Sequence, residues 1–587
     1  MLSVLSVASS LSGRRWVWRQ GEDRIGFAIA QQLGLSEMLG RLLVARGVGV
    51  DDAADFLDPT LRALLPDPSS LTDMDAAAAR LAEAVRNGET VAVFGDYDVD
   101  GACSGALMGG LLRELGCTVI SYVPDRLGEG YGPNGPALLG LAERGARLVV
   151  CVDCGTAAAD ALGVLAGRAD VVVLDHHKSD QVPPGIVATV NPNRLDDRSG
   201  LGSLCAAAIS FMTAIALLRV LRKSGFFAGR SEPDLMGRLD LVALATVCDV
   251  MPLRGLNRAL VTQGLKVMAR RARPGIAALL DVAGVREAPT AFSCGFALGP
   301  RINAAGRISE CDMGLRLLLA RDVSEAQELA GKLDEVNRRR QHVEAAMLEA
   351  ALAEGEAQAA RGLPVLFVHG AEWHPGVVGI VAGRIKERQN RPVCVGGEAD
   401  GIIKGSGRSV TGLDLGSAVI AARQAGILLS GGGHAMAAGF SLRAERADEF
   451  HAFLAERLAD ASLLPCAADL PVEAMLNVPA ATLELARDIS RLAPFGAGNE
   501  EPVFVLPRAR VVRADRIGKD GATIRAFVEG EGGGPRLKAL MFRAGEGAIA
   551  AALGAGGAQL HLAGHLRAES WNGSESVSFI ITDAAAV

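Results

Sequence analysis

A chain of 587 residues, 49% hydrophobic and 22% charged, is too long for one core and too apolar for disorder, so three or four packed domains are expected. A net charge of −7 excludes a protein that grips a polyanion with its whole surface, and any such site has to be built locally.

The opening segment, MLSVLSVASSLSGRRW, puts its apolar part before its arginines, the reverse of a secretory signal. It is expected to be a loose tail on a soluble, cytoplasmic protein, and residues 1–70 carry no legible chemistry. From Leu71 to Val190, short apolar runs alternate with helix-like segments, as in a doubly wound parallel sheet. The expected strands are Thr90–Phe94, Cys117–Val123, Leu148–Val152 and Val171–Leu174, with helices at Ala102–Leu115 and Pro136–Arg144. Ligands in such folds bind at the carboxyl ends of the strands.

Ser203 to Leu280 reads as helical. Its most apolar part, Cys205–Leu221, contains Ser210, Thr213 and Arg219, and suits a buried helix rather than a bilayer crossing. Asp322–Arg361 predicts one long connecting helix. A smaller α/β region opens at Pro364 and ends near Ala461, and it carries the glycine-rich runs KGSGR (Lys404–Arg408) and GGGHAMAAG (Gly431–Gly439). After Asp469, alternating runs at Pro502–Leu506, Arg510–Ala514, Ala522–Val528, Lys538–Phe542 and Ser576–Thr582 predict a small OB-like β-barrel. The fold class is therefore α/β multidomain, with expected boundaries 1–70, 71–320, 321–361, 362–462 and 463–587. Ten cysteines, mostly in apolar runs, suit a reducing compartment; Cys151 and Cys154 form one C-x-x-C pair with no second pair at zinc-ligand spacing.

Three of the four strands run straight into acids or histidines. GDYDVDG follows the first and supplies Asp96, Asp98 and Asp100 at alternate positions, which a locally extended stretch would send to one side. VDCG places Asp153 after the third strand, and LDHH places Asp175, His176 and His177 after the fourth. Singly, each acid is a common turn residue; three strand ends together outweigh that. Carboxylates with one imidazole suit two hard divalent cations, Mn²⁺ or Mg²⁺, about 3.5–4 Å apart for phosphoryl chemistry. Asp249, at the end of the apolar run ATVCDVMPL, could add a further ligand. Only one of the two adjacent histidines is expected to face the metals, because neighbours on an extended segment point apart.

Asp175-His176-His177, with GDYDVDG, VDCG and CDVMP, resembles the motifs of the DHH phosphoesterase family. VPDRLGEGYG (Val123–Gly132), GPRINAAGR (Gly299–Arg307), WHPGVVGIVAGRI (Trp373–Ile385), GSGRS, GGGHAMAAG and LAPFGAGNEEPVF (Leu492–Phe504) are similar to its RecJ branch, from Leu71 to the end.

The resemblance implies a DHH domain, a linking helix, a DHH-associated domain and an OB domain around a hole that admits one strand. It also implies 5′→3′ release of mononucleotides from single-stranded DNA in repair and recombination, with single-strand-binding protein and a RecQ-type helicase as partners. It further implies metal ligation by Asp98, Asp100, Asp153, His176 and Asp249, with Asp96 and His177 close by. Phosphate or base contacts would fall to Arg126, Tyr131, Arg301, Arg307, Ser406 and Arg408. The amides of Gly431, Gly432 and Gly433 beside His434 suit an anion cradle, and glycine-flanked Tyr131 suits base stacking. The competing enzymatic reading is a DHH phosphodiesterase for short oligonucleotides or cyclic dinucleotides, which would not need the C-terminal barrel.

Overall fold

The computed structural model describes residues 3–126, 128–463, 467–518, 521–571 and 573–587; Met1, Leu2, Cys466 and Leu127 of the VPDRLGEGYG run lie outside the described residues. The chain forms two compact units, one of residues 51–339 with 494–500, the other of residues 1–50, 340–493 and 501–587.

The first unit is built on five parallel strands, β1 (Thr90–Gly95), β2 (Thr118–Tyr122), β3 (Leu148–Val152), β4 (Asp170–Leu174) and β5 (Ala188–Val190), in the order β2-β1-β3-β4-β5. Their apolar runs are continuous because both faces are covered. Val91, Val93, Val150 and Val172 enter a core with helix α1 (Val99–Glu114), the Ala206–Lys223 helix and α2 (Leu239–Cys248). Ala92, Phe94, Val149, Cys151 and Val173 enter a second core on the opposite face, with Leu138 and Leu141 of the Gly135–Glu143 helix. The strand order reverses between β1 and β3, the crevice where doubly wound sheets bind ligands. β5 has only three residues, too few to stand out in the sequence.

In the second unit, β6 (Leu366–Ala371), β7 (Val393–Ala399), β8 (Ile402–Arg408), β9 (Ser430–His434) and β10 (Ala437–Arg443) form a sheet in the order β9-β10-β8-β7-β6. The two glycine-rich runs are thus strands. Glycine is needed in the first run for close packing: a side chain on Gly405 would meet the Phe440 ring at 2.2 Å, and one on Gly407 the Leu415 side chain at 2.6 Å.

The barrel closes because the long Phe504–Ile517 strand pairs with both Thr523–Glu529 and Gln559–Trp571. Two expected runs, Pro502–Leu506 and Arg510–Ala514, are one strand. Arg508 takes a left-handed φ of 47°, and the register shifts between Leu506 and Ala509, so the chain bulges past Pro507 without ending the strand.

The opening segment is a correction. Val4 and Trp16 are fully buried, Trp16–Trp18 pairs in parallel with Leu470–Val472, and the Trp16 indole donates to Asp583 at 2.9 Å. The tail is therefore held by the C-terminal region, through partners that lie more than 450 residues away in sequence. Among the described residues no helix is long and apolar enough to cross a membrane. A single helix spans Val323–Ala360.

Candidate metal centre

Strand register brings the acids level. Gly95 pairs with Val152 and Val152 with Leu174, so the next residue on each strand, Asp96, Asp153 and Asp175, reaches the same edge of the sheet. Asp98 and Asp100 arrive by a different route from the extended stretch expected. The chain turns into α1 at Val99, so Asp98 caps the helix, accepting the Gly101 amide at 3.0 Å, and Asp100 sits in its first turn. The turn is tight enough that a side chain on Gly101 would meet the Asp96 carbonyl at 2.4 Å. Asp249 closes the far end of α2 as its C-cap.

These side chains converge on His176. Its Nε2 lies 3.2 Å from Asp153 Oδ1, 3.4 Å from Asp249 Oδ2 and 3.8 Å from Asp100 Oδ2. Candidate ligand atoms of Asp100, His176 and Asp249 lie within 4.8 Å of one another, as do those of Asp96, Asp98 and Asp153, and those of Asp153, His176 and His177. Asp153 adopts a left-handed φ of 59°, a strained conformation for a non-glycine residue of the kind that clusters at functional sites.

One buried oxygen each of Asp96, Asp153 and Asp249 has no hydrogen-bond partner among the described residues. Orphaned buried carboxylate oxygens are costly, and three aimed into one crevice fit cations as the missing partner. Burial and neighbouring carboxylates push Asp96 and Asp249 up to about 8 and raise Asp153 well above its ordinary value. Burial raises Asp100 as well, against the opposing pull of His176. Four carboxyl groups that resist ionising together are what a divalent charge would relieve.

Asp175 plays another part. Its carboxylate accepts the amides of Thr156, His176 and His177 at 3.0, 2.8 and 3.2 Å, and the Nδ1 of His177 at 2.8 Å. Burial alone would raise its pKa, but the His177 bond and charge and the Thr156 bonds bring it down to about 2. Burial alone would likewise lower His177, and the bond and charge of Asp175 carry it up to about 9. Burial depresses His176, leaving a neutral imidazole suited to ligation.

Three asparagines that sequence reading missed hold this geometry. Asn191 and Asn193 donate to the carbonyls of His177 and His176 at 2.8 and 2.7 Å, and Asn303 accepts the Val99 amide at 3.1 Å. The only sequence signal for the first two is an N-P-N run straight after β5.

Other expected contacts are placed unevenly. Tyr131 has an exposed ring, and its hydroxyl is anchored to the Asp153 carbonyl at 3.1 Å. Arg126 stacks over the Tyr97 ring at 5.1 Å. Arg307 lies on the Gly299–Ile308 helix, close enough for its charge to act on Tyr97. Arg301 is committed to Asp334 at 2.9 Å and to the Ala297 carbonyl at 2.7 Å.

Ser406 and Arg408 belong to the second unit. They share one face of β8, where Arg408 donates to the Ser406 hydroxyl at 2.8 Å beside the N-terminal turn of the Val378–Gln389 helix. A side chain on Gly379 would come within 3.1 Å of both. Gly431, Gly432, Gly433 and His434 form edge strand β9 rather than a loop, so only their outward backbone groups are open to a ligand.

The comparisons with known proteins agree with this geometry. The DHH family N-terminal domain matches residues 90–246, the DHHA1 domain residues 362–460 and the RecJ OB domain residues 472–583. The single-stranded-DNA-specific exonuclease RecJ of Dickeya dadantii is 39% identical over 86% of this chain and 89% of its own length, and that of Escherichia coli is 38% identical over the same shares. The chain belongs to the RecJ family. The crystal structure of RecJ from Thermus thermophilus in complex with Mn²⁺ superimposes with a TM-score of 0.78 at 31% identity, covering 96% of this chain and 78% of that one. A Mg²⁺ complex of the same protein also matches, with a TM-score of 0.73 at 29% identity. The family, the α/β multidomain fold and the class of metal-dependent exonuclease stand as expected.

The raised carboxyl groups give a pH prediction. Folded Asp96 and Asp249 lie near 8, against about 3.9 when unfolded. Their protonated forms stabilise the metal-free chain fully below about pH 4, and that stability is lost as pH rises through about 8. A divalent cation competes with those protons, so the thermal upshift caused by Mn²⁺ should grow from pH 6 to 8. Binding near neutrality should release about two protons from Asp96 and Asp249 and any that Asp153 and Asp100 still hold, read by calorimetry in buffers of different ionisation enthalpy. An upshift independent of pH would contradict this.

Proposed function

We propose that this chain degrades single-stranded DNA from its 5′ end, releasing 5′-mononucleotides by two-metal hydrolysis in DNA repair and recombination. The observation that carries the reading is the set of three orphaned, buried carboxylate oxygens at the switch point of the sheet, those of Asp153 and Asp249 beside His176 and that of Asp96 grouped with Asp98 and Asp153. Asp98, Asp100, Asp153, His176 and Asp249, with Asp96 beside them, would hold Mn²⁺ or Mg²⁺. When bound, such ions lower the pKa of water and neutralise charge on phosphate oxygens.

The rest is done by the chain itself. His177, raised to about 9 in the metal-free chain by the bond and charge of Asp175, would supply positive charge beside the scissile phosphate, and Asp175 holds its ring. Tyr131 keeps its hydroxyl anchored and offers its ring to a base. Ser406 and Arg408, beside a helix N-terminus, suit the 5′-terminal phosphate. The RecJ OB module supports a long single strand over a short oligonucleotide or cyclic dinucleotide as substrate. Single-strand-binding protein and a RecQ-type helicase, which handle such strands, are the proposed partners.

The test is digestion of single strands labelled at either end, with Mn²⁺ or Mg²⁺. Immediate release of 5′ label as a mononucleotide, with 3′ label retained in shortening strands, is expected, and blunt duplex should resist. Early loss of the 3′ label would overturn the polarity.

A further inference from the structure

The first unit holds a second charged cavity. About 470 Å³ of space is lined by Arg113, Arg238, Arg273 and Arg321, with Glu114 the one acid in its wall. Arg113 ends α1, thirteen residues after Asp100 and about 20 Å away along the helix. Arg238 starts α2, whose other end is Asp249. The cavity therefore sits at the ends of α1 and α2 remote from the metal centre.

The four guanidinium groups are only partly satisfied. Arg238 pairs with Glu114, yet its Nε is buried with no hydrogen-bond partner among the described residues. Arg273 holds buried Asp240 through two bonds, at 2.8 and 3.1 Å. Arg113 donates to Ser121 at 2.9 Å but has no carboxylate partner among the described residues, and exposed Arg321 has no partner among them. Four cations against Glu114, Asp240 and Asp234, whose charge also acts on Arg238, leave the cluster net positive. Burial and then the charge of Arg321 lower Arg113, and burial lowers Arg238, so the cluster is held against its own repulsion. The Pro274–Val282 helix opens at the same wall with no side-chain cap. Gly110 leaves room, since a side chain there would come within 3.1 Å of Arg238 Nη1.

We propose that this cavity is a binding site for a small phosphate-bearing anion, separate from the catalytic centre. A net positive cluster with an unpartnered buried Nε favours an anion, and guanidinium forks fit phosphate oxygens. A nucleic-acid backbone would call for a basic track, whereas these arginines surround a single cavity.

The test is calorimetric titration of the full chain in EDTA with inorganic phosphate, pyrophosphate or a nucleoside 5′-monophosphate, against chloride at matched ionic strength. Saturable binding is expected that persists in Arg408→Ala and is weakened roughly tenfold or more in Arg113→Ala/Arg321→Ala. Equal affinity for all three probes would identify the phosphate group itself as the ligand, and tighter nucleotide binding would identify a nucleotide. Arg321→Ala alone, at an exposed position, should weaken binding in a chain that folds normally, which covers a double variant that does not. Binding no stronger than that of chloride, binding lost only in Arg408→Ala, or equal displacement by an oligonucleotide without terminal phosphates would each overturn the proposal.

Discussion

His176→Ala is expected to lower single-strand cleavage by roughly 1,000-fold or more, the equivalent of about 4 kcal/mol of transition-state stabilisation. Nε2 lies within 4 Å of carboxylates from three separate segments, Asp100, Asp153 and Asp249. Its loss removes the neutral ligand and leaves carboxylates that repel one another. The fold should survive, because Asp175 and Asn193 hold the local chain through the backbone of residue 176, which alanine keeps. Activity, metal-induced thermal upshift and single-strand affinity measured together decide the matter. Cleavage and the upshift should fall while DNA affinity in EDTA stays within about twofold, because the implied strand contacts lie on other residues. Cleavage within tenfold of the parent would remove His176 from the centre.

The sheet was legible because β1, β3 and β4 are apolar on both faces and end on charged residues, a contrast that needs no knowledge of the partner strand. Asp96, Asp153 and Asp175 could be placed at one edge for the same reason. Their separate roles could not. Asp175 carries the same side chain at the same kind of strand end as Asp153, yet it accepts the amides of its own next two residues and that of Thr156 after β3, and the Thr156 amide is brought there by tertiary structure. Asp98 and Asp100 were expected to align through an extended backbone; helix geometry aligns them instead, and only the tight approach of Gly101 to the Asp96 carbonyl shows why the turn comes so early.

What stayed hidden came from residues remote in sequence. Asn303 supports a loop some two hundred positions earlier, and Trp16 finds its strand partner and its acceptor in the C-terminal region. The strands at the glycine runs stayed hidden because glycine carries no strand signal. Phe440 and Leu415 press against the backbone of Gly405 and Gly407, where a side chain would not fit.

Asp175→Asn should change the pH profile more than the fold. The carboxylate holds His177 at about 9 against burial, and without that charge the imidazole falls well below 9, because burial alone lowers it. If it falls to the ordinary value of about 6.5, the variant keeps roughly one part in thirty of its imidazolium at pH 8, and less if it falls further. A misoriented His176 would cost about a further 10- to 100-fold in metal affinity, as removal of the groups that orient a ligand generally does. The kcat/KM of the variant should therefore begin to decline at a lower pH than that of the parent.

Stability supplies a second readout. Asp175, depressed to about 2, contributes stability that is present above its unfolded pKa of about 3.9 and lost as pH falls through 2. His177, raised to about 9, contributes stability that is full below about 6.5 and lost as pH rises through 9. Both describe one interaction, so the deficit of the variant should be greatest between about pH 4 and 6.5 and narrow on either side. Parallel profiles for parent and variant, in activity and in thermal midpoint, would show that the bond between Asp175 and His177 sets neither.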